Sequence, residues 1–463
     1  MTTKIRFGTD GWRAVIAKDF TVESVIRISE GVAQYLKCEK LPLKVVIGYD
    51  CRFNGGLFSS YVAKTLQRQG IQVVVSKQFV TTPMVSFAAQ ELNCGLGVVI
   101  TASHNPPEYN GYKLKSRFGG PLIEEEIRKV EQLIPDSIDF EAVDQEDLNA
   151  EVFADIATPY LNQLKKKFNL EAIVASPIKA VFNPMFGSGQ GIFKSLLSNV
   201  EEYKSYQNPL FEGISPEPII KNLKDFQLYL KQNQFDLAML VDGDADRIGL
   251  MDGMCNYITS HHIMLILLWI LVKYKKLSGE VATGFSSTDK IRLFCEKENI
   301  PLTVVPIGFK HISNLMQQKD ILMGGEESGG ISVKGHIPER DGIYNNLLIL
   351  EFLAQNNLSV HELLGEIEAY LGKFYYNRLD LKITENQKQK VLAKLQENSI
   401  TQIGNYKVEK VETLDGFKFR LAEGEWVMAR LSGTEPLVRI YCESEKEENV
   451  DLHISHLKQQ LGV

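Results

Sequence analysis

Ser103 stands in Thr101-Ala102-Ser103-His104-Asn105-Pro106, directly after the apolar run Gly97-Val98-Val99-Ile100. That order puts a hydroxyl on a loop at the carboxyl end of a strand, where open α/β sheets collect their chemistry. A serine hydroxyl is a weak nucleophile until a neighbour activates it. His104 is adjacent, and Asn110-Gly111-Tyr112-Lys113 brings a cation a few residues later. Hydroxyl, imidazole and ammonium together suit a phosphoryl group. The plainer reading is a polar turn that closes a strand, punctuated by Asn-Pro.

Val241-Asp242-Gly243-Asp244-Ala245-Asp246-Arg247-Ile248-Gly249 sets three carboxylates at alternate positions after the strand-like run Phe235 to Leu240. Three acids this close repel each other unless a cation sits among them. Hard oxygen ligands suit Mg²⁺, which keeps coordination positions open for water or a phosphate. An EF-hand shares Asp at positions one, three and five but needs glycine at six and glutamate at twelve. Here those positions hold Arg247 and Gly253, so that pattern fails. An Asx-rich turn is the bland alternative.

Two further loops carry polar groups between glycines. Gly324-Gly325-Glu326-Glu327-Ser328-Gly329-Gly330 follows the strand-like Asp320 to Met323. Glycines there are expected to clear bulk so that Glu326 and Ser328 reach sugar hydroxyls; a simple Gly-rich turn is the alternative. Arg430-Leu431-Ser432-Gly433-Thr434-Glu435-Pro436, with Arg439 beyond, sets arginines around hydroxyls and an accessible backbone. Arginine forks match phosphate oxygens, although a solvated loop with surface arginines reads the same way.

The elements that must hold these loops follow βαβ logic. Leu43 to Gly48 reads as a strand, Leu57 to Gln67 as a helix, Ile71 to Val75 as a strand and Thr82 to Leu92 as a helix, leading into the serine loop. A similar cycle precedes the triple-Asp loop: Ala180 to Phe182, Gly191 to Leu197, then Leu237 to Val241. A third precedes the Glu-Glu-Ser loop: Val281 to Thr283, Asp289 to Glu298, Val304-Val305 and a helix from His311. The chain is therefore expected to form three consecutive mixed-sheet α/β domains. A smaller α+β domain follows, ending in a helix from Asn449 to Leu461. Boundaries fall near 150, 255 and 372, giving domains 1–150, 151–255, 256–372 and 373–463. Gly187-Ser188-Gly189-Gln190-Gly191 lacks the glycine at 192 that a dinucleotide fingerprint needs, and no P-loop is present.

A chain of 463 residues implies about three domains on length alone. Hydrophobic residues make up 44% and charged residues 24%, an ordinary globular balance. Net charge is −7 with no basic run, which argues against nucleic acid as a partner. Arg13, Lys113, Arg247, Lys310, Arg430 and Arg439 are candidates for a local concentration of cations. Six scattered cysteines, with no C-x-x-C, read as reduced thiols of a cytoplasmic protein. No apolar signal segment opens the chain. The run Ile263 to Val272 is too short to span a membrane and reads as a buried helix capped near Thr259 or Ser260.

The four loops, in this order, resemble those of the α-D-phosphohexomutases, the phosphoglucomutase/phosphomannomutase superfamily. The resemblance runs from Phe7-Gly8-Thr9-Asp10-Gly11-Trp12-Arg13 to Arg439. It includes Phe211-Glu212-Gly213-Ile214-Ser215-Pro216-Glu217-Pro218, Gly308-Phe309-Lys310 and Gly335-His336-Ile337-Pro338-Glu339-Arg340-Asp341-Gly342. It implies four domains around a central cleft and a phosphate carried on Ser103. It further implies that Asp242, Asp244, Asp246 and the phosphorylated Ser103 hold Mg²⁺, with His104, Lys113 and Arg13 aiding proton transfer. Glu326 and Ser328 are expected to grip the sugar. Arg430, Ser432, Gly433, Thr434 and Arg439 are expected to hold the non-reacting phosphate, with Arg247, Lys310 and His336 as further substrate contacts. The implied activity is interconversion of glucose 1-phosphate and glucose 6-phosphate through a bisphosphate intermediate, with glucose 1,6-bisphosphate as activator. Glu-Glu-Ser resembles glucose-preferring members; dual-specificity mannose/glucose members tend to carry Met in place of Glu327 and His in place of Gly330, and glucosamine enzymes Gln at the middle position. Phosphomannomutase, sugar-bisphosphate synthase, phosphatase and non-catalytic sensor remain alternatives. The expected partners are small sugar phosphates, with neither nucleic acid nor membrane, for a monomer or homodimer.

Overall fold

The computed structural model describes residues 4–8, 10–397, 399–433 and 436–463. Thr434 of the arginine-flanked loop lies outside them. The chain divides into two compact units, one of Met1–Gly279 with Gly308–Leu363 and one of Glu280–Ile307 with Leu364–Val463.

In the first unit, one sheet has the order β1-β5-β4-β2-β3-β6. Its strands are β1 (Trp12–Val15), β2 (Lys44–Tyr49), β3 (Gln72–Ser76), β4 (Leu96–Ile100), β5 (Tyr109–Ser116) and β6 (Phe153–Ala154). Strands β2, β3, β4 and β6 pair in parallel, whereas β5 runs antiparallel to β4 and β1. Val45, Val46 and Ile47 on β2 and Val98, Val99 and Ile100 on β4 are all buried. Continuous β-branched runs are what a parallel strand covered on both faces requires. The flanking helices begin at hydroxyl caps: Thr21 accepts from Ser24 N, and Thr81 accepts from Met84 N.

A second sheet has the order β11-β10-β9-β7-β8. It comprises β7 (Ala180–Asn183), β8 (Val200–Glu202), β9 (Leu237–Val241), β10 (Ile248–Asp252) and β11 (Tyr257–Ile258). Strands β7, β8 and β9 are parallel and β10 returns antiparallel, so the three aspartates fill the β9–β10 turn. The apolar run after Thr259 forms the helix Ser260–Trp269, capped by Thr259 as expected, and continues into a π-turn at Ile270–Tyr274.

The third α/β segment contributes to both units. In the second unit β12 (Glu280–Gly284) pairs in parallel with β13 (Leu302–Val305). In the first unit β14 (Ile321–Gly325) pairs antiparallel with β15 (Ile331–Val333) around the Glu-Glu-Ser loop. The remaining strands of the second unit form one antiparallel sheet, β16-β21-β20-β19-β18-β17. These are β16 (Tyr375–Lys382), β17 (Gln402–Ile403), β18 (Tyr406–Glu412), β19 (Phe417–Leu421), β20 (Trp426–Leu431) and β21 (Leu437–Ser444). Helix Glu447–Leu461 lays Val450, Ile454 and Leu457 against its core. Mixed α/β segments followed by an α+β segment is the expected fold class. All six cysteines are unpaired. Among the described residues, no helix is long and apolar enough to cross a membrane.

Candidate active site

The serine loop and the triple-Asp loop meet. Ser103 Oγ donates to Asp242 Oδ2 at 2.6 Å and lies 3.3 Å from His104 Nδ1. Contact this close requires glycine at 243, because a Cβ there would stand 2.5 Å from the Ser103 carbonyl oxygen. Ser103 itself adopts a left-handed backbone, φ 54°. For a non-glycine residue that conformation stores strain and is a recognised mark of functional sites.

The three aspartates are fully buried and offer one oxygen each within 4.8 Å of one another. Asp244 Oδ2 accepts from Thr82 Oγ1 at 2.6 Å and Lys113 Nζ at 2.7 Å. Asp246 Oδ2 accepts from Lys113 Nζ at 2.9 Å and Arg340 Nη2 at 2.6 Å. The second oxygens, Asp244 Oδ1 and Asp246 Oδ1, are buried without a hydrogen-bond partner among the described residues. A buried carboxylate oxygen with nothing to accept is costly, and two beside a third acid are the donor set a hard divalent cation takes. The residues therefore fit Mg²⁺. Burial and the charges of Asp244 and Asp246 push the Asp242 carboxyl well above its usual range. Asp244 is held well below it, because Lys113 and Thr82 outweigh burial.

Lys113 lies on β5, a segment to which the sequence reading assigns no element. Its ammonium contacts Asp10 Oδ2 at 2.8 Å as well as Asp244 and Asp246. Burial alone would lower its pKa, but these three acids raise it well above the usual lysine value. These contacts hold the Lys113 ammonium in its charged form. His104 is pushed the other way, well below its ordinary value, by burial and then by Arg247, Arg13, Lys113 and Arg52. Arg13 Nη1 bonds Asn105 Oδ1 at 2.7 Å, and Arg247 Nη1 bonds Glu217 Oε1 at 2.8 Å with Nη2 3.4 Å from His104 Nε2.

The Glu-Glu-Ser loop packs against the aspartate turn through its backbone: Ile248 N donates to Gly329 O at 3.0 Å, and Arg247 bridges Gly330. Glu326 is buried, and Oε1 accepts from Gly308 N at 2.7 Å. Burial, then the neighbouring Glu327, raises its pKa to about 7. A Cβ on Gly324 would meet Ile312 at 2.2 Å, on Gly325 Met264 at 2.7 Å and on Gly330 Arg340 at 2.4 Å. They make room for protein, above all for Arg340 on its way to Asp246.

Lys310 pairs with Glu124. His336 bonds Asp341 Oδ2 at 2.7 Å and stacks on Tyr344, while Asp341 caps the helix Gly342–Asn356. These contacts tie His336 to a helix start, and none of them reaches the Ser103 constellation. In the second unit Arg430 and Arg439 face each other across β20 and β21. Arg430 Nε bonds Asp415 at 3.0 Å and Arg439 Nε lies 3.6 Å from Asp380. Ser432 is buried and Gly433 exposed at the end of β20.

Several partners escape a sequence reading: Asp10, Thr82, Glu339, Arg340 and the Asp50–Arg52 pair after β2. Lys115 Nζ contacts Glu339 at 2.7 Å, and Glu339 accepts from Ser86 Oγ. Asp10, Glu339 and Arg340 lie in segments that carry the family resemblance, and Asp50 and Arg52 show a local signal, charges directly after an apolar strand in Gly48-Tyr49-Asp50-Cys51-Arg52.

Comparison with known proteins gives the following. Family models for phosphoglucomutase/phosphomannomutase α/β/α domains I, II and III match residues 4–140, 158–254 and 259–370, and the model of the C-terminal domain matches 379–452. A phosphoglucosamine/phosphogalactosamine mutase of Sulfurisphaera tokodaii is 29% identical, over 98% of this chain and 98% of its own. A phosphoglucomutase/phosphomannomutase of Thermococcus kodakarensis is 28% identical, over 98% and 99%. The crystal structure of a Thermus thermophilus protein, provisionally described as a phosphomannomutase, superposes with a TM-score of 0.88 at 32% identity, covering 100% of both chains.

Proposed function

The chain belongs to the phosphoglucomutase/phosphomannomutase family of α-D-phosphohexomutases, whose members are phosphosugar isomerases, and we propose that it interconverts glucose 1-phosphate and glucose 6-phosphate through a phosphoserine at Ser103. The observation that carries this reading is Ser103 Oγ at 2.6 Å from Asp242, beside two buried carboxylate oxygens that lack hydrogen-bond partners among the described residues. Mg²⁺ held by Asp242, Asp244, Asp246 and the phosphoserine neutralises charge on the transferring group when bound.

In the first half-reaction the Ser103 Oγ–P bond breaks as the free sugar hydroxyl forms its own P–O bond. The hydroxyl proton passes to a base. Ser103 Oγ takes up a proton as its bond to phosphorus breaks, and His104 Nδ1, 3.3 Å away, is within reach of that oxygen. Arg13 and Arg247 supply positive charge around the group in flight, and Lys113 fixes two of the metal-binding acids. The bisphosphate then turns over and returns its other phosphate to Ser103. Glu326 and Ser328 hold the sugar. Arg430, Ser432, Gly433, Thr434 and Arg439 hold the phosphate that is not reacting, with Lys310 as a further contact. The four functional segments are 1–150 for the phosphoserine, 151–255 for the metal, 256–372 for the sugar and 373–463 for the phosphate. Glucose 1,6-bisphosphate activates by rephosphorylating Ser103.

Glucose is favoured by Glu326-Glu327-Ser328. Hexosamine phosphates are the second reading, favoured by the Sulfurisphaera relative. Both are tested by coupled assays on glucose 1-phosphate, mannose 1-phosphate and glucosamine 1-phosphate, with and without the matching bisphosphate. Phosphopeptide mapping of the purified protein should place phosphate on Ser103. Ser103→Ala should lower turnover by about 10⁴-fold or more, as loss of other covalent nucleophiles does; turnover within tenfold of wild type would exclude the phosphoserine route.

A further inference from the structure

We infer that the buried Asp50–Arg52 pair is a positioning device that holds Ser103 in its strained, reactive conformation; this rests on Ser103 being the phosphoryl carrier. Arg52 follows β2 and is 3% exposed. Its Nη1 donates to the carbonyls of Pro106 at 2.7 Å and Tyr109 at 2.9 Å. Its Nη2 donates to those of Ser103 at 2.8 Å and Asn105 at 2.6 Å. Nε faces Asp50 Oδ2 at 3.3 Å. Both terminal nitrogens are spent on the serine loop, and the buried Nε faces Asp50 as an ion pair without a hydrogen bond among the described residues.

The amide of Ser103 is fixed from the same place. Ser103 N donates to Thr101 Oγ1 at 2.9 Å, and Thr101 Oγ1 donates to Asp50 Oδ2 at 2.5 Å. Asp50 Oδ1 accepts from Arg52 N at 2.9 Å. One carboxylate thus orients both the hydroxyl that holds Ser103 N–H and the guanidinium that holds Ser103 C=O. A left-handed serine costs on the order of 1–3 kcal/mol and persists only where its surroundings over-determine it. Charged hydrogen bonds of roughly 1.5–3 kcal/mol each are enough to do so.

The clamp also sets register with the metal loop. The Ser103 carbonyl that Arg52 binds is the one against which Gly243 packs, and the Phe211 ring covers the guanidinium at 5.0 Å. Moving that carbonyl moves Oγ relative to Asp242. Ser103 must give up a phosphoryl group and later accept one at the same point. A displacement of about 1 Å in such a group is worth roughly 10²-fold in rate.

Arg52→Lys keeps the charge and loses the planar fork. In the full-length protein, turnover per phosphorylated Ser103, with occupancy read by intact mass, should fall about 10²-fold. KM for the sugar 1-phosphate should stay within about twofold, as expected when ground-state binding is untouched. Saturating Mg²⁺ should not restore the rate. Thr101→Val removes only the hydroxyl link and should cost about tenfold in kcat, again with little change in KM. If Arg52→Lys does not fold, Thr101→Val and Phe211→Leu carry the test. Wild-type turnover per phosphoserine in the variants that fold, whatever their melting temperature, would reduce the pair to a structural brace and overturn the inference. Ser103→Ala separates the two failures: an active Ser103→Ala protein removes the phosphoserine reading itself, whereas an inactive one beside fully active clamp variants removes only this inference.

Discussion

Lys113 and Lys418 are buried alike, at 0% and 2% exposure, yet they hold their protons with opposite strength. Burial disfavours both ammonium groups. At Lys113 three carboxylates within 2.7–2.9 Å overturn that penalty and lock the charge in place. Lys418, on β19, lies over the ring of Trp426 at 3.9 Å and that of Phe285 at 4.9 Å. There burial wins and lowers its pKa to about 8, with Asp289 the largest opposing influence. Depth in the protein does not fix the charge of a buried lysine; the number of carboxylates it touches does. One lysine is an electrostatic anchor and the other is a group that can release its proton.

Removing the anchor should have the largest effect. Lys113→Met leaves Asp10, Asp244 and Asp246 without their shared cation, and stripping one partner from a buried charge cluster costs about 3–5 kcal/mol. Urea unfolding should show that loss, and mutase turnover should fall to background. Added Mg²⁺ should stabilise the variant more than wild type, since it replaces the missing positive charge. A variant within about 1 kcal/mol of wild type without metal would break the contrast between the two lysines.

The same contrast explains what a sequence can disclose. Strands β2, β4 and β9 are legible because Val45-Val46-Ile47, Val98-Val99-Ile100 and Leu237 to Val241 are runs no surface tolerates. Strand β5, Tyr-Asn-Gly-Tyr-Lys-Leu-Lys-Ser, carries no such run and goes unassigned, because its burial depends on ion pairs of Lys113 and Lys115 with Asp10, Asp244, Asp246 and Glu339. Ser103 and the aspartate triad declare themselves by type and spacing. Asp50, Arg52 and Arg340 do not: each is an ordinary charge until folding brings partners dozens or hundreds of residues away. The glycines around Glu326 were legible as close approaches, but not what approaches them.

Gly330→Ala sharpens the anchor side of the comparison by moving one of its cations indirectly. The new Cβ would stand 2.4 Å from Arg340 Cδ and crowd the side chain that reaches Asp246. Overpacking of this kind costs about 1–3 kcal/mol. Calorimetry should show weaker Mg²⁺ binding, and the KM for sugar phosphate should rise because the same loop carries Glu326 and Ser328, the proposed sugar contacts. The effect should be less than additive with Arg340→Ala, since both act on one contact. Full additivity would mean that the alanine disturbs the loop by some other route.

Lys418→Met should have the smallest effect at neutral pH and the most diagnostic sign. Among the described residues no carboxylate forms an ion pair with Lys418. Replacing such a buried ammonium with an apolar chain of similar length should change stability by no more than about 1 kcal/mol, in either direction. The two proteins should part at higher pH. The unfolded wild-type chain keeps the Lys418 proton up to about 10.5, whereas the folded chain keeps it only to about 8. Between those values unfolding takes up a proton, so this group makes wild-type stability rise with pH; below 8 and above 10.5 its contribution is flat. Tyrosines and cysteines also titrate in that window, but they are shared, so the difference between wild type and Lys418→Met isolates the lysine. Urea unfolding at closely spaced pH values should show that difference growing in favour of wild type. A difference that stays constant across the window, or a loss of several kcal/mol at neutral pH, would mean that Lys418 is as firmly charged as Lys113 and that ring faces can substitute for carboxylates in this fold.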